Sequence, residues 1–109
     1  MDGICLRFYV QEDRLHHGVP VFDWLLTQAR DLGISGGSAF KAMTGFGRHG
    51  RLHADHFFEL SGHLPVVVEF VVDAEAAERL LRSVQAQEVT LFYTRTVVEF
   101  GWIKGLKDA

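Results

Sequence analysis

The segment Pro65-Val66-Val67-Val68-Glu69-Phe70-Val71-Val72 constrains the fold more than any other part of the chain. Branching at Cβ restricts rotamers in a helix and suits the pleated surface of a sheet, so this run reads as a strand, the third of four. Gly3 to Gln11 alternates Ile4, Leu6, Phe8 and Val10 with Cys5, Arg7, Tyr9 and Gln11. That period of two marks a first strand packed on one face. Ser38 to Phe46 alternates weakly and gives the second strand, preceded by Gly36 and Gly37 and ended by Gly45 and Gly47; Thr90 to Phe100 gives the fourth.

Two segments of helical period lie between these strands. Pro20 presets a first turn, and Phe22, Leu25, Leu26, Ala29 and Leu32 recur at helical spacing until Gly33. Asp73 stands where an N-cap belongs, Ala77, Leu80, Leu81 and Val84 form the apolar stripe, and Glu75 and Glu78 suit the positive end of the helix dipole. The order βαββαβ with one-faced helices predicts an α+β, ferredoxin-like fold: a four-stranded antiparallel sheet with both helices on one face. With 109 residues, 48% of them hydrophobic, the chain is expected to form one domain over 1–109. Within it, a loop of about 47–64 is rich in Gly, His and Arg, with room for a short strand at His56 to Leu60, and a tail covers about 102–109. Loops this long in a compact domain are usually functional.

Several functions are disfavoured at once. The longest apolar run, Leu64 to Phe70, is interrupted by Glu69 and falls short of the ~20 residues of a membrane span. No basic segment leads into an apolar one near Met1, so the protein is expected to be cytoplasmic and not membrane-inserted. Cys5 is the sole cysteine, which excludes an intrachain disulfide and any Cys-x-x-Cys motif. A net charge of −3 argues against nucleic acid as a partner. No nucleophile with an adjacent base, and no matched carboxylate pair, stands out, so no enzyme activity is expected.

Gly45-Phe46-Gly47-Arg48-His49-Gly50 has the letters of a dinucleotide fingerprint, but it follows the second strand and leads into a polar loop where that motif requires a helix. Its glycines let backbone N–H groups approach an anion, and Lys41, Arg48 and Arg51 can neutralise phosphate; the alternative is a flexible turn. His49, His53 and His56 would share one side of a helical stretch and could hold a divalent metal, with solvated loop histidines as the alternative. Trp24, Trp102 and Phe57-Phe58 could stack on a nucleobase or serve packing.

Alternation also predicts what covers the sheet's other face. With Ile4, Leu6, Phe8, Val10, Val66, Val68, Phe70 and Val72 turned to the helices, Cys5, Arg7, Tyr9, Val67, Glu69 and Val71 turn away. The fourth strand is expected to add Tyr93, Arg95, Val97 and Glu99, and the second Lys41 and Met43. Such a mixture of apolar and paired charged groups suits self-association better than exposure to water.

These residues bring a resemblance with them. Leu6-Arg7-Phe8-Tyr9, Gly18-Val19-Pro20, Gly36-Gly37 leading to Lys41, Gly45-Phe46-Gly47 with Gly50, and Leu60-Ser61 followed by Leu64-Pro65-Val66-Val67-Val68-Glu69 resemble, in order and spacing, the PII-like family of uncharacterised proteins. That family is related to the nitrogen-regulatory PII proteins and to CutA. The resemblance implies a homotrimer whose open sheet faces meet at the centre. It implies a signalling role in which a small anionic effector, commonly an adenine nucleotide, occupies clefts between subunits. The loop after the second strand then contacts a target such as a membrane transporter or channel. Gly36, Gly37, Lys41, Gly45, Phe46, Gly47, Arg48 and Arg51 are the ligand-binding candidates, and no cofactor is required. A CutA-like metal-binding trimer using His49, His53 and His56, and a ligand-free structural interaction module, are the alternatives. The chain departs from the family pattern in Lys41 for the common Arg, Ala42 for a frequent Gly, and Gln87-Glu88-Val89-Thr90 for Gly-Leu-Val-Thr.

Overall fold

The structure, a computed structural model, describes residues 1–45 and 64–108. The elements run β1 (Asp2–Gln11), β2 (Leu15–His16), β3 (Val19–Pro20), α1 (Val21–Asp31), β4 (Ser38–Lys41), β5 (Pro65–Val72), α2 (Ala74–Ala86), β6 (Phe92–Glu99) and a 3-10 turn (Leu106–Asp108). The four long strands form one antiparallel sheet in the order β4-β5-β1-β6, while β2 and β3 pair separately. This is the ferredoxin-like α+β arrangement that the strand and helix order predicts. No helix among the described residues is long and apolar enough to cross a membrane.

One core fills the space between the sheet and both helices. Leu6 and Phe8 from β1, Val68 and Phe70 from β5, Leu25 from α1 and Leu80 from α2 have almost no accessible surface. The rings of Phe8 and Phe70 meet edge-on, 6.2 Å apart. Each buried side chain of this size contributes ~1.5–3 kcal/mol, which holds α1 and α2 against β1 and β5.

Local chemistry sets the helix ends. The Ala76 N–H donates to Oδ1 of Asp73 at 2.7 Å, so Asp73 caps α2 as its sequence position predicts. Gly33, at φ 84°, closes α1: its N–H donates to the Arg30 carbonyl and that of Ile34 to the Ala29 carbonyl, both at 3.0 Å. This is the paired-bond stop that needs a residue in the left-handed region.

Three expectations are corrected. The stretch from Glu12 to Gly18 is polar and reads as a loop, but it holds β2 and the turn of the β2-β3 hairpin, whose second strand is Val19–Pro20. His17 (φ 51°) and Gly18 (φ 79°) form its two-residue turn, and positive φ at both positions matches the twist of the flanking strands. Strand β4 stops at Lys41, well short of the expected Phe46, which lies outside the described residues. The third correction concerns the faces of the two edge strands. Tyr93, Arg95 and Val97 stand opposite Phe8, Leu6 and Ile4, and Lys41 stands opposite Val66. Residues paired across antiparallel strands share a face. These four therefore lie on the helix side, with Glu99 opposite Asp2. Phe92, Thr94, Thr96 and Val98, with Ser38 and Phe40, take the open face.

Candidate functional site

Antiparallel order gathers four chain segments at one end of the sheet: the exits of β1 and β4 and the starts of β5 and β6. The Glu12 N–H donates to the Leu64 carbonyl at 3.1 Å, and the Ala42 N–H to the Pro65 carbonyl at 2.8 Å. Those two bonds hold both ends of the 42–64 excursion against β1 and β5. Gly45 lies beside the ring of Pro65. Nη1 of Arg14 donates to the Thr90 carbonyl at 2.6 Å, tying the segment after β1 to the one before β6.

Lys41 projects at this end, its Nζ 3.2 Å from Oε2 of Glu12. That oxygen is buried and has no hydrogen-bond partner among the described residues, so the pair is a charge contact without bond alignment. With the two side chains 52% and 29% exposed, the pair is worth about 0–1 kcal/mol. Glu12 carried no signal in the sequence reading; only the register that places Lys41 beside the exit of β1 reveals it.

The other candidates divide. Lys41 and Gly45 share the loop end, whereas Gly36 and Gly37 precede β4 at its opposite end, about 13–16 Å from Lys41 at ~3.3 Å per residue. Gly37 has a packing reason of its own, since a methyl group there would strike the ring of Phe70. Phe46, Gly47, Arg48 and Arg51 lie outside the described residues, as do His49, His53, His56, Phe57 and Phe58 and the strand expected at 56–60. Among the described residues, no group of three or more His, Cys, Asp or Glu side chains converges to hold a metal. Trp24 is partly buried against the core, with the His16 ring 4.7 Å away.

The open face is the second candidate surface. Phe40, Val67, Tyr9 and Phe92 stand opposite one another and form a row across all four strands. Tyr9 and Phe92 lie 5.5 Å apart, and Phe40 and Phe92 are 55% and 69% exposed. In the adjacent row, Nε of Arg7 donates to Oε2 of Glu69 at 2.8 Å, and this bond together with the carboxylate charge raises the Arg7 pKa. Among the described residues, the charge on this face is thus the one pair Arg7–Glu69, because Lys41, Arg95 and Glu99, also expected here, lie on the helix side. Arg95 reaches to the helix side and donates to Oε1 of Glu78 at 2.7 Å.

Residues 3–99 match the model of the DUF190 family, described as Uncharacterized ACR. The chain belongs to the DUF190 family. Its curated relatives include a UPF0166 protein of Aquifex aeolicus, 32% identical over 82 residues and covering 75% of this chain and 78% of the relative. Another, from Methanocaldococcus jannaschii, is 32% identical over 76 residues, covering 70% and 69%. Among solved structures, this DUF190 chain is similar to CPII of Thiomonas intermedia, a nitrogen regulatory PII-like protein bound to ADP, AMP and bicarbonate. That likeness has a TM-score of 0.65 at 13% identity and covers 95% of this chain and 98% of CPII. A protein of Thermus thermophilus described as PII-like and signalling superposes with a TM-score of 0.59 at 15% identity, covering 90% and 87%. The DUF190 chain therefore has a PII-like fold, as its motifs imply.

Proposed function

We propose that this DUF190 protein is a cytoplasmic PII-like regulator. Its open sheet faces join three copies, and it binds a small anionic effector, an adenine nucleotide, in clefts between them. Occupancy is communicated to a partner such as a transporter or channel, with no chemistry performed on the effector. The observation that carries this reading is the end-to-end likeness to CPII, a protein whose structure holds ADP and AMP. Two features of the chain itself support it. The exposed aromatic row on the open face favours association, and Lys41 sits at the base of the 42–64 excursion, paired only weakly with Glu12. In the binding site we place Lys41 and Gly45, with Phe46, Gly47, Arg48 and Arg51 from the sequence reading. Gly36 and Gly37 join it only from a neighbouring copy.

Titration calorimetry with ADP, AMP and ATP tests this directly. Lys41→Ala is expected to weaken the effector by about ten- to hundredfold, the ~1.5–3 kcal/mol of a hydrogen bond to a charged group. Glu12→Gln, which frees Lys41, is expected to strengthen it. Absence of heat or thermal stabilisation with all three nucleotides overturns the reading, as does an unchanged affinity in both variants.

A further inference from the structure

A groove of about 360 Å³ lies on the helix side of the sheet between α2 and β6, lined by Phe8, Leu81, Val84, Gln85, Leu91 and Tyr93 among others. Phe8 is almost inaccessible and forms the floor, with the Tyr93 ring 6.1 Å from it. The volume falls within the ~300–1,000 Å³ of small-molecule sites, which share this pattern of apolar walls with few polar groups.

The two ends of the groove differ. Glu78 stands three residues before Leu81 on the same face of α2, and Arg95 two residues beyond Tyr93 on the same side of β6. The bond from Nη1 of Arg95 to Oε1 of Glu78 therefore closes this end with both charges satisfied. At the other end Thr90 belongs to the lining, and Nη1 of Arg14 donates to its carbonyl at 2.6 Å. The Arg14 backbone is held on both sides: its N–H donates to the Gln11 carbonyl at 3.1 Å, and its carbonyl accepts from the Val21 N–H at 2.9 Å. Among the described residues Arg14 forms no ion pair. A guanidinium has several N–H donors, so the bond to Thr90 leaves others for an anion. The N–H groups of Gln87 and Glu88 occupy the carbonyls of Ser83, Val84 and Gln85, which reduces the opposition of the α2 terminus to negative charge.

We propose that this groove binds a small amphipathic carboxylate, an acid with a short aliphatic or aryl-alkyl body. The body lies between Leu81, Val84, Leu91 and Tyr93, and the carboxylate meets the guanidinium of Arg14. Apolar surface leaves water on both sides, and the charge finds a cation whose fork matches a carboxylate. The site is independent of the effector reading, because Lys41 is on β4 and the groove beside β6. Those strands are the two edges of the sheet, about 14 Å apart at ~4.8 Å per strand.

Octanoate, octanol and octylamine titrated into the methyl-labelled full chain test it by nuclear magnetic resonance. Octanoate is expected to shift the methyls of Leu81, Val84, Val89 and Leu91 to saturation and to leave those of Ile34 and Val67 in place. It is expected to bind at least about tenfold more tightly than octanol or octylamine. Arg14→Gln should bring octanoate to the affinity of octanol, and Arg14→Lys, which keeps the charge, should restore part of the difference. The same spectra report whether each variant is folded. Equal affinities for the three probes, shifts centred on other methyls, or undiminished octanoate binding in folded Arg14→Gln overturns the proposal. Nuclear Overhauser contacts from Trp102 or Ile103 to Leu81 or Leu91 in the ligand-free chain also overturn it, since the chain's own tail then fills the groove. Displacement of octanoate by AMP assigns the groove to the nucleotide and overturns it as well, whereas failure of AMP to bind anywhere overturns only the effector reading.

Discussion

A methyl group added at Gly37 would meet the Phe70 ring and approach Cδ2 of Leu26 to 3.1 Å, whereas one added at Gly36 would meet nothing within 4 Å. Gly37→Ala is therefore expected to lower stability by ~1–3 kcal/mol, the usual cost of overpacking a core, and Gly36→Ala to leave it unchanged, both read from urea midpoints. The sequence marked the two glycines as a pair of ligand candidates. It could not separate them, because which one faces Phe70 depends on the β4-β5 register. Glu78 carries a pH signature of the same local kind. The hydrogen bond from Arg95, reinforced by its charge, holds the Glu78 carboxyl below its ordinary value. A depressed carboxylate stabilises the fold above its unfolded value of about 4.3, and that contribution disappears as pH falls through the folded value. The stability difference between the wild type and Glu78→Gln is accordingly expected to favour the wild type at neutral pH and to shrink as pH falls below about 4.3 and through the lowered folded value. Urea titrations across that range check the sign, and a difference independent of pH would show that the carboxylate is unimportant.

At the level of elements, what could be read from the sequence follows how strongly each pattern is written. Strand β1 alternates cleanly, β5 is β-branched, and both helices have an apolar stripe with a recognisable stop or start, so these four were legible with their buried faces. Strand β6 was not. Phe92 and Val98 fall on one parity and Tyr93 and Val97 on the other, so hydrophobicity alone cannot choose. The choice is made by packing before the strand, where Val89 is buried and Leu91 partly so against the core. The lead into that strand also holds an unusual backbone. Glu88 closes α2 at φ 60°, with its N–H donating to the Gln85 carbonyl at 3.0 Å. A left-handed residue with a Cβ costs roughly 1–2 kcal/mol, and glycine is the common solution at this position of a helix end. Glu88→Gly is expected to raise the urea midpoint by an amount corresponding to about 1 kcal/mol, with part of the gain lost to the entropy of the unfolded chain. A loss of stability would show that the Glu88 side chain is needed where it stands.

For the whole molecule, the register changes the argument for association without removing it. The sequence predicted an open face of apolar residues with several charges, and the paired strands give one that is about half aliphatic and aromatic, with the hydroxyls of Ser38, Thr94 and Thr96 and a single ion pair. That difference lowers the cost of covering the face. A buried charge is expensive when its partner is missing, and here Arg7 and Glu69 already satisfy each other within one chain. The favourable side comes from the row of Phe40, Val67, Tyr9 and Phe92, because each Phe ring withdrawn from water contributes ~1.5–3 kcal/mol and symmetry repeats the contribution in every copy. Phe92→Glu and Phe40→Glu therefore separate folding from assembly. Both side chains are largely exposed in the single chain, so the fold should survive with unchanged circular dichroism. In the proposed assembly each would place an unpaired carboxylate against apolar neighbours, and the double variant is expected to sediment at the 12.3 kDa of one chain, where the wild type is expected to sediment as a trimer. If the variant keeps the wild-type mass, the copies meet elsewhere, and the effector clefts assigned to that interface would have to be sought with it.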